Sequence, residues 1–248
     1  MSSKKIQLFI LPFAGGSAAA FTELSSLLAE WIEVYVIEYP GRGSRLSEPF
    51  CDTMEDLIED SKKQIETLRK AELPFALMGY SIGVEVSFDL AQYALDEKPE
   101  YVFFAAREAI HYDTAGHDYV LLKEDDFQKK IIDFGGIDER VIKNKRFLNI
   151  YMRPVHADYK LLNQYIYKKE KGKLDCDMTV FYCEKDTPHE KVKEWETHTE
   201  GEIDYFELGE NHFFIRKYAR EMAEIINQKL RLFRIGEMNE NMMEDCQE

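Results

Sequence analysis

Gly79-Tyr80-Ser81-Ile82-Gly83 constrains this chain more than any other stretch. It follows an apolar run, Pro74-Phe75-Ala76-Leu77-Met78, and opens an amphipathic segment from Val84 to Ala94. The pattern predicts strand, tight turn, helix. A Gly-x-Ser-x-Gly pentapeptide alone recurs by chance. Between a strand and a helix it reads as a nucleophile elbow, a turn so sharp that the serine backbone is strained and its hydroxyl is raised above the sheet. Glycine is needed on either side because a Cβ there would collide with the neighbouring strand and helix. The competing reading is an ordinary turn with Ser81 as a helix N-cap; the flanking strand and helix favour the elbow.

The rest of the chain alternates in the same way. Ile6 to Leu11 is a buried-strand pattern, broken by Pro12-Phe13-Ala14-Gly15-Gly16-Ser17, and Ala18 to Glu30 reads as a helix. Val34-Tyr35-Val36-Ile37 predicts a second strand and Met54 to Lys70 a second helix. After the elbow, Tyr101 to Ala106, Met178 to Cys183 and Ile203 to Leu208 read as further strands, and Phe213 to Phe233 as a long closing helix. Strands alternating with helices imply parallel strands joined by helical crossovers, with active sites at the strands' carboxyl ends. From 111 to 173 only helical patterns occur: Asp125 to Phe134, Asp138 to Tyr151 and His156 to Lys168. This block is expected to form a helical lid inserted into a single domain, 1–235; simple packing layers are the alternative. The acidic segment 236–248 is expected to be disordered.

Composition narrows the function. The 248 residues suit one large α/β domain. A formal net charge of −15 predicts repulsion from nucleic acid and from anionic membranes. No apolar run reaches membrane-spanning length, and the run Ile6 to Leu11 is too short for a signal-peptide core. Cys51, Cys176, Cys183 and Cys246 follow neither a metal-site nor a disulfide spacing. A cytoplasmic protein with reduced thiols, no metal and no cofactor is expected, a monomer by default.

A serine nucleophile needs a base within hydrogen-bond reach and an acid to fix that base's tautomer. On an α/β-hydrolase sheet the chain order is serine, carboxylate, histidine. Asp186 and His212 satisfy that order and follow predicted strands. His111, His117 and His156 precede Asp186, His189 follows it with no intervening strand, and His198 lies in a polar stretch. Glu184, Asp204 and Glu210 are the competing acids. The oxyanion hole needs two backbone N–H groups, one from Ile82, after the nucleophile, and one from the loop Pro12 to Gly16.

These segments resemble type II thioesterases, the stand-alone editing hydrolases of nonribosomal peptide and polyketide synthases. The likeness rests on Leu11 to Ser17, on Tyr39-Pro40-Gly41-Arg42-Gly43-Ser44-Arg45, on the elbow, and on Gly209-Glu210-Asn211-His212-Phe213-Phe214. Arg153 to Tyr159 extends it. The resemblance implies an α/β-hydrolase fold, a mostly parallel central sheet flanked by helices with a helical lid. It implies hydrolysis of acyl or aminoacyl thioesters from the phosphopantetheine arm of carrier domains, with Ser81, Asp186 and His212 as triad and Ala14 and Ile82 as oxyanion donors. The chain departs from the family at Tyr80 and Ile82, where His and Met are usual. It departs again at Ala105 to Ile110, where a Ser-Gly-Arg-Arg-Ala-Pro-like run is usual, and at His156-Ala157-Asp158, where the family has Arg-Ala-Asp. Alternative readings are a carboxylesterase acting on free small esters, an acyltransferase, or a non-catalytic carrier-binding partner. Lys143-Asn144-Lys145-Arg146 is a candidate docking patch or a solvated helix face; Arg42 and Arg45 either meet the arm's phosphate or brace their loop.

Overall fold

The computed structural model describes residues 5–112 and 121–244, with side chains through 231. Six strands form one sheet: β1 (Ile6–Leu11), β2 (Ile32–Val36), β3 (Phe75–Tyr80), β4 (Tyr101–Ala105), β5 (Asp177–Tyr182) and β6 (Ile203–Glu207). Their spatial order is β2-β1-β3-β4-β5-β6 and every pairing is parallel. Side-chain alternation sends Phe9 and Leu11 to one face and Ile6, Leu8 and Ile10 to the other, both fully covered. Helices α1 (Thr22–Leu27) and α8 (Ile215–Glu244) cover the second face through Leu24, Met222 and Ile226. Helices α2 (Met54–Leu68) and α3 (Ile82–Asp89) cover the first through Leu57, Ile65, Val84 and Phe88. A capping box between Thr53 and Asp56 starts α2.

This topology selects the site. From β1 the chain steps outward to β2, then back past β1 to β3, so the direction of strand addition reverses between β1 and β3. A crevice opens at the carboxyl ends of strands at such a switch point. Leu11 stands in register with Gly79, which places the loop after β1 beside the elbow after β3.

The lid expectation falls partly on 113–120, outside the described residues. The rest is helical: α4 (Glu124–Asp133), α5 (Glu139–Ile142) and α6 (Lys145–Gln164). They share a small core of Phe127, Ile131, Leu148, Met152 and Val155. Where the sequence predicts two helices, Asp138 to Tyr151 and His156 to Lys168, α6 runs unbroken through Pro154. A proline removes one hydrogen bond, to the carbonyl four residues back. Here that residue is Ile150, which is exposed and open to water, while the buried faces on both sides of Pro154 hold the halves in line. Helix α7 (His189–Val192) is a short turn between β5 and β6. Helix α8 continues to Glu244, into the segment where disorder is expected; 245–248 of that segment lie outside the described residues.

Candidate active site

Ser81 has φ 54° and ψ −123°, a left-handed backbone that non-glycine residues avoid. The flanking glycines are required by contact: a Cβ on Gly79 would lie 2.4 Å from the Gly83 carbonyl oxygen, and one on Gly83 would lie 2.0 Å from the Leu11 carbonyl oxygen. The elbow is therefore pressed against the end of β1. Ser81 is partly exposed at the head of α3.

Asp186 and His212 meet. The Asp186 and Thr187 N–H groups both donate to the Cys183 carbonyl, at 2.9 and 2.8 Å, which turns the chain sharply after β5. His212 Nδ1 lies 2.7 Å from Asp186 Oδ2. An ionised carboxylate only accepts, so Nδ1 carries the proton and Nε2 is left with its lone pair. Both side chains are about one-seventh exposed, at 15% and 14%. The His212 loop reaches back toward the elbow because Tyr80, the residue before Ser81, holds it: the Tyr80 hydroxyl donates to the His212 carbonyl oxygen at 2.6 Å. Tyr80 is fully buried, and burial pushes its phenol well above the usual range, so it stays a neutral donor. Phe13 packs edge-on against Phe213 at 5.1 Å, joining the loop after β1 to the same assembly. The competing acids are engaged elsewhere: Glu184 accepts the His189 N–H, Asp204 pairs with Lys229, and Glu210 with Lys185. Of the competing bases, His156 packs on Phe127 in the lid, and His117 lies outside the described residues.

The loop after β1 is fixed from two sides. Asp158, on α6 and 1% exposed, accepts the Gly15 N–H through Oδ2 at 2.7 Å. The same carboxylate takes a bidentate pair from Arg42, whose Nη2 donates to Oδ1 at 2.7 Å and whose Nη1 donates to Oδ2. Val155, one turn earlier on α6, fills the space where a Gly15 Cβ would lie, at 2.4 Å, and Gly15 has φ 72°. The Tyr39 hydroxyl donates to the Pro12 carbonyl at 3.3 Å. Held this way, the Ala14 N–H has no acceptor among the described residues. Ile82 opens α3, so its N–H lacks an intrahelical acceptor as well. Arg42 and Arg45 brace their loop: the first binds Asp158, the second Glu48 and Asp60.

The segment after α4 packs over this edge. Phe134 packs on the His212 ring at 5.5 Å, and the Phe213 ring occupies the space where a Gly136 Cβ would lie. A cleft of about 730 Å³ opens between α4, α6 and the 50–52 loop, lined by Cys51, Glu124, Met152, Arg153 and His156 among others. None of the five candidate site residues lines it.

Residues 6–230 match the family model for the thioesterase domain. The chain belongs to the thioesterase family. This thioesterase is 30% identical over 236 residues to the gramicidin S biosynthesis protein GrsT of Aneurinibacillus migulanus, covering 93% of this chain and 91% of that one. It is 28% identical to thioesterase PikA5 of Streptomyces venezuelae, over 91% of this chain and 81% of that one. Among solved structures it superposes on ClbQ from the colibactin nonribosomal peptide and polyketide pathway with a TM-score of 0.85, at 27% identity, covering 94% of this chain and 99% of that one. The resemblance to type II thioesterases and the α/β-hydrolase fold hold.

Two features of the thioesterase escape sequence reasoning. Asp158 stands in a segment that carries the family resemblance, but its contacts are not legible there, since its partners lie 116 and 143 residues away. His198, in a stretch that reads as polar, is 4% exposed and belongs to a hydrogen-bonded chain. Tyr167 donates to its Nδ1 at 3.2 Å, its Nε2 donates to His111 Nδ1 at 2.7 Å, and His111 Nε2 donates to Glu194 at 2.8 Å. With both imidazoles neutral, these directions follow from the acceptor-only carboxylate at the end. Burial, and then the neighbouring His111 and Lys173, push His198 down to about 4.

Proposed function

We propose that Ser81, His212 and Asp186 act as a catalytic triad that hydrolyses acyl or aminoacyl thioesters carried on the phosphopantetheine arm of carrier domains, clearing stalled or mis-primed synthases. The thioester-hydrolase activity follows from the family, and relatives such as GrsT and ClbQ belong by name to peptide and polyketide biosynthesis. The observation that carries the residue assignment is the 2.7 Å pairing of His212 Nδ1 with Asp186, on a loop that Tyr80 ties to the strained elbow.

In this reading His212 Nε2 takes the Ser81 proton as Oγ attacks the thioester carbonyl. Negative charge gathers on the carbonyl oxygen, and the Ala14 and Ile82 N–H groups receive it. The tetrahedral adduct collapses, the C–S bond breaks, and the pantetheine thiol leaves with the proton held by His212. Water, deprotonated by His212, then attacks the acyl-serine and releases the acid. Asp186 holds the imidazole in the productive tautomer throughout. The chemistry requires no metal or cofactor from the protein, and we place the enzyme in the cytoplasm as a monomer. No helix among the described residues is long and apolar enough to cross a membrane.

A panel of acyl-loaded carrier domains, followed by intact mass, tests this. The expected result is loss of the acyl mass from the carrier with the pantetheine arm retained. A carrier-bound acyl group cleaved no faster than a simple aryl ester at equal concentration would instead favour a small-ester esterase.

A further inference from the structure

We infer that the exposed stripe of α6 centred on Phe147 and Ile150 is the surface on which an acidic protein domain docks; resting on the reading above, that domain is the carrier. From 143 to 160 the chain holds five lysines and arginines and a single carboxylate, Asp158, in a protein whose formal net charge is −15. That carboxylate is buried against Arg42 and offsets nothing outside. Lys145, Arg146, Arg153 and Lys160 have no ion-pair partner among the described residues, although carboxylates outnumber cations 47 to 32 in the whole chain.

Apolar side chains interrupt this positive stretch where they are least expected. Phe147 is 56% and Ile150 53% exposed, while Leu148, Met152 and Val155 on the other side of the helix are buried in the lid core. Arg146, Ile150 and Arg153 fall on one stripe, at helical spacings of four and three, and Phe147 lies beside Ile150, three residues before it. An apolar centre flanked by unpaired cations is the anatomy of a docking site, in which the apolar residues supply affinity and the charges steer the approach. The cleft that α6 shares with α4 has mixed charge, with Asp52, Glu124 and Asp125 on its far walls. Lys145, Arg153 and Lys160 line that cleft opposite those carboxylates, which leaves Arg146, outside it, as the cation beside Phe147 and Ile150 with no ion-pair partner among the described residues. A partner complementary to the stripe presents carboxylates around an apolar patch. A strongly acidic enzyme repels such a partner everywhere else, so the stripe also sets orientation. The buried side of the same helix carries Val155 and Asp158, which fix the loop bearing Ala14. Docking on α6 thus brings the arm to the lid beside the proposed oxyanion donors.

The test uses the full-length protein and two double variants at exposed positions, Arg146→Glu/Arg153→Glu and Phe147→Ser/Ile150→Ser. Affinity for a fluorescent holo-carrier domain is measured by anisotropy, and hydrolysis of a free acyl-pantetheine thioester is followed in parallel. Each double variant is expected to weaken carrier binding at least about tenfold while free-thioester turnover stays unchanged. Raising salt should weaken binding to the wild type more than to the charge-reversed variant. A carrier with lysines in place of its acidic surface residues should recover affinity for the charge-reversed variant. Unchanged affinity in both variants overturns the assignment, as does a parallel fall in free-thioester turnover. A wild type that binds carrier through this stripe but cleaves no thioester keeps the docking surface and overturns the hydrolase reading.

Discussion

The strained backbone of Ser81 persists because Gly79 and Gly83 on either side leave no room for a Cβ. Gly83→Ala forces a Cβ into the Leu11 carbonyl, 2.0 Å away, with backbone on both sides and no flexible side chain to yield. The cost expected is about 1–3 kcal/mol, typical of overpacking, read as a lower denaturant midpoint together with lost activity. A midpoint equal to wild type would show that the elbow is not pressed against β1. Tyr80 stands where the family usually has histidine, and its hydroxyl anchors the backbone of His212. Tyr80→Phe leaves that part-buried carbonyl without its partner, a loss of about 1 kcal/mol, and loosens the loop that carries the imidazole. The expected signature is a fall in kcat with KM nearly unchanged; an unaltered kcat would remove Tyr80 from the positioning machinery.

At the level of elements, α6 joins the lid to the loop after β1 through one carboxylate. Asp158→Asn replaces an acceptor-only group by one whose amide N–H faces the Arg42 donors, and it leaves a buried guanidinium unpaired. We expect a stability loss of about 3–5 kcal/mol, as for breaking one half of a buried ion pair, and a kcat loss larger than the KM change at a temperature where the variant stays folded. Equal changes in kcat and KM would mean that Asp158 supports the fold without aiming the Ala14 N–H. The sequence exposed the strands readily, because β1, β3 and β4 are buried on both faces and spell nearly continuous apolar runs between turn residues, with Gln7 the polar exception in β1. It exposed Ser81, Asp186 and His212 as candidates because each follows a strand and the order of the three is informative. It hid the continuity of α6, since Pro154 reads as a break unless tertiary burial on both sides is known. It hid the role of Asp158 for the same reason: an acid in a helix looks solvated until its distant partners arrive.

Across the whole molecule, stability answers to pH through His198. His198 is held down to about 4 in the fold by burial and by the nearby His111, Lys173 and Lys169, with Glu194 acting in the opposite direction. The unfolded chain therefore binds a proton at a higher pH than the folded one, and stability contributed by neutral His198 is complete above about 6.5 and drains away as pH falls toward about 4. The melting temperature should fall between pH 7 and 5, and His198→Gln should flatten that slope; an identical slope in the variant would contradict the assignment. Catalysis, in the proposed mechanism, depends on Ser81, Asp186 and His212, which follow β3, β5 and β6 at one edge of the sheet. Rapid-quench intact mass and peptide mapping of the enzyme mixed with an acyl-loaded carrier test that convergence most directly. The account predicts a transient acyl adduct on Ser81, absent from Ser81→Ala and slow to form in His212→Ala, decaying to free acid. An adduct on another residue, or acid released at the wild-type rate by Ser81→Ala, would contradict it.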